Sequence, residues 1–234
     1  MQHVLITGSN RGIGLALARA CVAQGDKVFA TCRQPDSADA LQAVAQDNPD
    51  QVTIIQLSVT DEASLSACLD TVVSATDTLD ILINNAGIYP EASAHTQLGM
   101  LEADALTHVL QVNSIAPVMI TQAFLPLLKK SANPRVVMVS SHMGSIERAG
   151  TSGLSYRMSK AAVNMATKVL SGMVRSDNIT VVTTHPGHVA TDMGGSGAPV
   201  SPDESAAGLL SVTHGLTIAD TGKFLNYTGE GLPW

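Results

Sequence analysis

Six short runs of β-branched and aliphatic residues alternate with longer helical patterns, and this rhythm limits the fold more than any other feature of the chain. The runs are HVLIT (3–7), KVFATC (27–32), VTIIQL (52–57), LDILIN (79–84), RVVMVS (135–140) and ITVVTT (179–184). Between the first four lie GIGLALARACVAQG, SADALQAVAQ and EASLSACLDTVVSA, where apolar residues return at i, i+3 and i+4. Strand, helix, strand in repetition means βαβ units, hence a parallel sheet covered by helices on both faces. Further helices are expected at 102–112, at 114–130, from Ser155 to Arg175 and near 203–213, with KFLNY (223–227) as a closing edge strand. No repeat or linker divides the 234 residues, and 45% hydrophobic content is enough for a full core. The expectation is one doubly wound α/β domain over 1–234. In such sheets ligands bind outside the carboxyl ends of the strands, which directs attention to the loops after Thr7, Cys32, Leu57, Asn84, Ser140 and Thr184.

A net charge of −7 argues against nucleic acid or an anionic membrane surface as partner, since both need clustered Lys and Arg. The most apolar stretch, SIAPVMITQAFLPLL (114–128), contains two prolines and falls short of the roughly 20 residues that span a bilayer. The opening MQHVLITG reads as a strand and lacks the zones of a signal peptide. Cys21, Cys32 and Cys68 have no CxxC spacing and sit among apolar neighbours, as reduced structural thiols do. A cytoplasmic location is expected.

The loop after the first strand reads TGSNRGIG, with Gly8, Gly12 and Gly14 between strand and helix. Glycines there permit a tight turn and let backbone N–H groups and the helix dipole meet a pyrophosphate. The G-x-x-x-G-x-G spacing departs from G-x-G-x-x-G, and the same residues also suit a plain turn. An acid near the end of the second strand would hold the ribose of NAD, but ATCRQPD places Arg33 there. A guanidinium pairs with a 2′-phosphate, and Arg11 approaches the same place, which favours NADP(H) over NAD(H); a solvated loop charge is the plainer alternative for Arg33. Asp36, past Pro35, is expected to cap the next helix.

In SYRMSKAAVNMATKVL, Tyr156 and Lys160 are four residues apart and share a helical face. A nearby ammonium favours phenolate and draws the tyrosine down from about 10 toward neutrality. Tyrosine and lysine also meet by chance on many helices.

TGSNRGIG, NNAG (84–87), Asn113 in QVNS, VSS (139–141), SYRMSK and HPGHVATDM (185–193) occur in this order along the chain. Together they resemble the short-chain dehydrogenase/reductases over its whole length, and YRMSKAAVNMATK with the ending GKFLNYTGEGLPW is similar to the branch of sniffer carbonyl reductase and C-factor (C-signal). The resemblance implies a Rossmann fold and hydride transfer between a nicotinamide and a small-molecule carbonyl or alcohol. It implies that Tyr156 is the proton donor and acceptor, that Lys160 binds the nicotinamide ribose, that Asn113 holds a water on a proton path, and that a serine meets the substrate oxygen. Gly8, Asn10, Arg11, Gly12, Ile13, Gly14, Arg33, Ser58, Val59, Asn85, Ala86, Gly87, Pro186, Gly187, Val189 and Thr191 would contact the cofactor, beside Tyr156 and Lys160. No metal is implied. Members pair through the helices corresponding to 114–130 and 155–175, so a homodimer or homotetramer is implied, though the branch includes monomers.

Counting 13 residues back from Tyr156, as the family pattern has it, lands on Met143. Aligning from the strand end instead selects Ser141, with two extra residues in IERAGTSG, where insertions cost little. Ser140 then ends the strand with its side chain turned away, and Ser145, Ser152 and Ser155 fall to loop and cap roles. Two departures stand out: Ser58 replaces the acid that accepts from adenine, and His188 replaces a tryptophan of the branch. Ser141–His142 and GTSGL (150–154) do not make a nucleophile elbow, and His185 with His188 lacks a third metal ligand. A nucleotide-binding signalling or scaffold protein with little turnover is the alternative in a different class. Substrate contacts are expected from IYPEASAHTQLGM (88–100), from 142–155 with Arg148, and from GHVATDMGGSGAPVSP (187–202) as a lid.

Overall fold

The apolar runs pair into one parallel sheet in the computed structural model, which describes residues 1–90 and 98–234. Its strands are β1 (His3–Thr7), β2 (Lys27–Cys32), β3 (Val52–Gln56), β4 (Ile81–Asn84), β5 (Arg135–Val139), β6 (Thr180–His185) and β7 (Phe224–Asn226), in the spatial order β3-β2-β1-β4-β5-β6-β7. Register follows the pleat: Leu5 pairs with Phe29 on one side and Leu82 on the other. Alternate residues feed two cores. Val4, Ile6, Val28, Ile83 and Val182 pack with α1 (Gly12–Ala23) and α7 (Pro202–Gly215), while Leu5, Phe29, Leu82, Val136 and Val181 pack with α3 (Glu62–Ala75), α5 (Ala116–Leu128) and α6 (Leu154–Met173). Both sheet faces are thus buried, as expected for parallel strands. The chain winds outward from β1 to β3 and then returns to place β4 on the other side of β1. The crevice at the carboxyl ends therefore opens between β1 and β4.

The elements differ from expectation at three places. Residues 102–112 and 114–130 do not form two helices. α4 (Ala103–Leu110) runs through a π turn at Gln111–Ile115 directly into α5. The polar pair Asn113–Ser114 breaks the apolar period without breaking the helix, because both side chains are bonded: the Ser114 hydroxyl donates to the Ser159 carbonyl at 2.7 Å, and Asn113 donates to Ser159 Oγ at 3.0 Å. Taken as one, Ala103–Leu128 is long and apolar enough to cross a bilayer, with mean hydropathy 1.2; here it packs on β4, β5 and α3. Asp36 does not cap α2 (Asp39–Asp47); Pro35 starts a separate 3-10 turn that contains it, and Ala38 holds the cap position. Ser155 is buried in the first turn of α6, whose cap position is Gly153.

At the amino ends of the strands, opposite the crevice, Asp80 joins three segments. Its carboxylate accepts from the His3 backbone N–H at 2.8 Å and from the Ser131 hydroxyl. Bonds to an ionised acceptor are worth about 1.5–3 kcal/mol. Asp80→Ala should lower unfolding free energy by about that amount in a urea titration.

Candidate active site

The turn after β1 is held from below and beside. The buried Ser9 hydroxyl donates to the Ile6 carbonyl at 2.9 Å, and the Ser9 N–H donates to the Thr31 carbonyl at 2.8 Å. Asn10 and Arg11 are exposed, and Ile13 packs on the core below. Gly14 admits no side chain, since a Cβ there would lie 2.1 Å from the Gly8 carbonyl oxygen. The neighbouring turn after β4 is clasped to it by Thr7, whose hydroxyl accepts from the Asn85 and Ala86 N–H groups at 3.0 and 2.9 Å. The Asn85 side chain donates back to the Thr7 and Gly8 carbonyls. Thr7 was not among the expected site residues; the only sign of it in the sequence is its place as the last strand residue before the glycines.

Arg33 leaves β2 exposed at the rim of a hollow of about 460 Å³, lined also by Gln34, Pro35, Asp36, Ser37 and Gln56. Gln56 donates to the Arg33 carbonyl at 3.2 Å. Ser58 and Val59 follow β3, with the Ser58 N–H donating to Ser64 Oγ at 2.9 Å. Arg11 is not free beside this hollow. Its guanidinium pairs with Asp192, in the loop after β6. That loop is internally bonded: the Ala190 N–H donates to the Val200 carbonyl at 2.8 Å, the Val200 N–H donates to the His188 carbonyl at 3.1 Å, and Thr191 Oγ1 accepts from the Gly194 N–H at 3.1 Å. A Cβ on Gly12 would lie 3.2 Å from Thr191 Cγ2, so Thr191 rests against the glycine turn. Val189 is buried, and the Pro186 carbonyl before Gly187 accepts from Ser205 Oγ at 2.6 Å.

Ser141, Tyr156 and Lys160 meet beneath the turn after β4. Ser141 caps the short 142–144 turn, its hydroxyl accepting from the Met143 N–H at 3.1 Å, and it lies within hydrogen-bonding reach of the Tyr156 phenol. Ser140 turns to α6 instead and donates to the Lys160 carbonyl. The Lys160 ammonium is buried, donates to the Val139 carbonyl at 2.9 Å, and stands 5.5 Å from the Tyr156 ring centroid. Gly144 makes this possible: a Cβ there would come within 2.7 Å of the Lys160 backbone. Burial pushes Lys160 down to about 8. It also pushes Tyr156 up to about 12, with Ser141 opposing and Tyr89 adding to the rise. The expectation of a depressed phenol is thus reversed in the folded chain: removal from water raises it more than the Ser141 hydroxyl lowers it.

Asn113 is buried, and its side chain is a clamp. Its Oδ1 accepts from the Ile88 N–H at 2.8 Å, and its Nδ2 donates to the Ile88 carbonyl at 2.9 Å and to Ser159. Both amide hydrogens are therefore spent. Residue 117 is proline and has no N–H for the Asn113 carbonyl four residues back. His185 bonds to His142 at 3.2 Å, and burial drives it down to about 4. Part of the expected substrate segment, 91–97, lies outside the described residues.

The model of the short chain dehydrogenase family matches residues 2–199. The chain belongs to the short-chain dehydrogenase/reductase family. Its Rossmann sheet accords with solved relatives: an NADPH-bound carbonyl reductase from chicken fatty liver is 38% identical with a TM-score of 0.93, covering 100% of this chain and 99% of that one. The carbonyl reductase Sniffer of D. melanogaster is 33% identical with a TM-score of 0.94, covering 100% of both. C-signal of Myxococcus xanthus is 39% identical over 68% of this chain and 95% of that protein. The chain is thus a hydride-transfer oxidoreductase of the sniffer and C-signal branch, with a nicotinamide cofactor and a small-molecule substrate.

Because Lys160 drops from its ordinary 10.5 to about 8 on folding, the folded state binds fewer protons than the unfolded one between those values, and stability rises with pH there. Urea unfolding of the parent and of Lys160→Met across pH should therefore show a parent-minus-variant difference that is flat below about pH 8 and climbs in the parent's favour toward 10.5.

Proposed function

We propose that this chain is an NADPH-dependent carbonyl reductase with Tyr156 as general acid and base. The observation that carries the proposal is the convergence of Ser141, Tyr156 and Lys160 in one buried cluster under the turn that Thr7 ties to the glycine loop. A nucleotide-binding scaffold requires no such convergence. The residues suit the cofactor: a side chain is excluded where Gly14 stands, Gly87 leaves little room for one, and the Arg33 guanidinium rims an open hollow that Asp36 also lines. When bound, the nicotinamide supplies or accepts hydride.

The chain's own residues do the rest. Ser141 and the Tyr156 phenol present two O–H groups to one carbonyl oxygen, which meets charge developing there with preorganised donors. A phenol held high stays protonated across neutral pH and is ready to donate. Lys160 carries a positive charge toward the ribose side, next to Gly87, where a Cβ would lie 3.6 Å from its Nζ. Asn113 positions that turn through Ile88, and it is the residue that would hold a water linking Lys160 to solvent. Pro186, Gly187, Val189 and Thr191 would hold the nicotinamide, and Gly8, Asn10, Arg11, Gly12, Ile13, Asn85 and Ala86 the phosphates and ribose. Ser58 and Val59 would contact adenine.

Preference for NADPH rests on Arg33. Arg11 reinforces it only after exchanging Asp192 for the 2′-phosphate. A reducing cytoplasm fits Cys21, Cys32 and Cys68, all free and buried, with Cys21 pushed up to about 12 and Cys68 to about 11. Self-association through α5 and α6 fits the exposed Ile115, Met119, Met158, Met165, Val169 and Met173 along them.

Tyr156→Phe should retain NADPH binding, read by cofactor fluorescence, and abolish reduction of a panel of aldehydes, ketones and quinones; carbonyl reduction at the parental rate would refute the mechanism. Arg33→Ala should weaken NADPH by roughly 1.5–3 kcal/mol and leave NADH nearly unchanged. Equal losses for both cofactors in titration calorimetry would remove Arg33 from the phosphate.

A further inference from the structure

The phenol of Tyr156 owes its burial in part to a single ring on another loop. Tyr89 lies 4.5 Å from Tyr156, centroid to centroid, at an interplanar angle of 46°. Tilted pairs at this separation are favourable beyond the area they bury. The backbone leading to Tyr89 is fixed, because the preceding Ile88 is bonded to Asn113 through both its N–H and its carbonyl. The far end of the ring meets the entrance to α6. Gly153 stands there at φ +70°, and a Cβ on it would lie 3.1 Å from the Tyr89 hydroxyl and 3.0 Å from Met143 Cε. Tyr89 is thus wedged between the turn after β4, the loop before α6 and the ring of Tyr156. Beyond its place in the expected substrate segment 88–100, Tyr89 has no role among those assigned above.

We propose, on the reading of Tyr156 as general acid, that Tyr89 is a positioning residue for proton transfer, its ring holding the Tyr156 phenol toward Ser141 and keeping water from it. Two physical effects follow from that placement. A phenol confined by a packed ring samples fewer orientations, and proton transfer depends steeply on donor geometry. A phenol shielded from water has its neutral, proton-donating form favoured. The groups facing it are Ser141 from the turn after β5, Lys160 from its own helix and Tyr89 from the turn after β4, and burial dominates the shift.

The test compares Tyr89→Phe, which keeps the ring, with Tyr89→Ala, which removes it, in the full chain with NADPH and 4-nitrobenzaldehyde. Tyr89→Phe should restore parental kcat, whereas Tyr89→Ala should lose roughly 10- to 100-fold in kcat at unchanged NADPH affinity. The alkaline limb of its kcat profile should move to lower pH, because water entering beside Tyr156 stabilises phenolate. An alkaline pH-jump followed by phenolate absorbance, with the Tyr156 signal identified by its loss in Tyr156→Phe, reads the same shift without turnover. It should place Tyr156 lower in Tyr89→Ala than in Tyr89→Phe. Identical titrations in the two variants, or a Tyr89→Ala enzyme with parental kcat and pH profile, would overturn the proposal. Turnover that survives Tyr156→Phe would instead strike the reading of Tyr156 as the acid, and is told apart by that variant alone.

Discussion

A buried ammonium governs the arrangement of the site. Lys160 has left water, and its Nζ reaches the Val139 carbonyl, the last of β5, at 2.9 Å. A charge in that position is tolerated only if its donors are met and its helix lies close to the strand end. Gly144 supplies the closeness, since any side chain there would strike the Lys160 backbone, and Asn164 one turn later donates to the Gly144 carbonyl at 3.1 Å. With the helix fixed at that height, Tyr156 falls one turn earlier on the same face. Tyr156 is therefore located by the cost of burying its neighbour.

The crevice depends on a second set of contacts across the reversal in strand order. Thr7 ends β1, and its hydroxyl serves the turn that ends β4. The two halves of the sheet are wound in opposite directions, and this hydroxyl, with the Asn85 amide, is what joins their loops. On the far side, Thr191 against Gly12 and Asp192 against Arg11 bring the loop after β6 to the same glycines. Three loops distant in sequence thus share one floor.

Much of this was legible in the sequence for physical reasons. β-branched runs flanked by turn residues placed the strands to within a residue or two, and the i, i+4 spacing put Tyr156 and Lys160 on one face. Counting from the strand end rather than from the tyrosine selected Ser141, which lies within reach of the Tyr156 phenol, because strand ends are fixed by the sheet while the loop between can lengthen. What the sequence hid was set by contacts distant along the chain. Asn113 and Ser114 looked like a helix break, since nothing local shows that Ser159 and Ile88 wait to bond them. Asp36 looked like a cap, but Pro35 had already begun a tighter turn. Asp192 lies 181 residues from Arg11, and no pattern joins them. Tyr156 was expected to be drawn down by its lysine, whereas the depth of burial, which no spacing reveals, sends it upward.

The bonding of Asn113 to Ile88 has a wider consequence. One amide side chain meets both the N–H and the carbonyl of one residue, as a neighbouring strand would. Ile88 is thereby annexed to the scaffold although it lies beyond the sheet, and a border falls just after it. On the near side, Gly87 sits close against Asn113 and Lys160, where a Cβ would lie 3.3 Å from Asn113 Oδ1 and 3.6 Å from Lys160 Nζ. On the far side, the chain is anchored at its root, so the side chain at Tyr89 can be exchanged without moving Gly87. A lineage built on this framework can exchange what it admits while inheriting unchanged the machinery that acts on it.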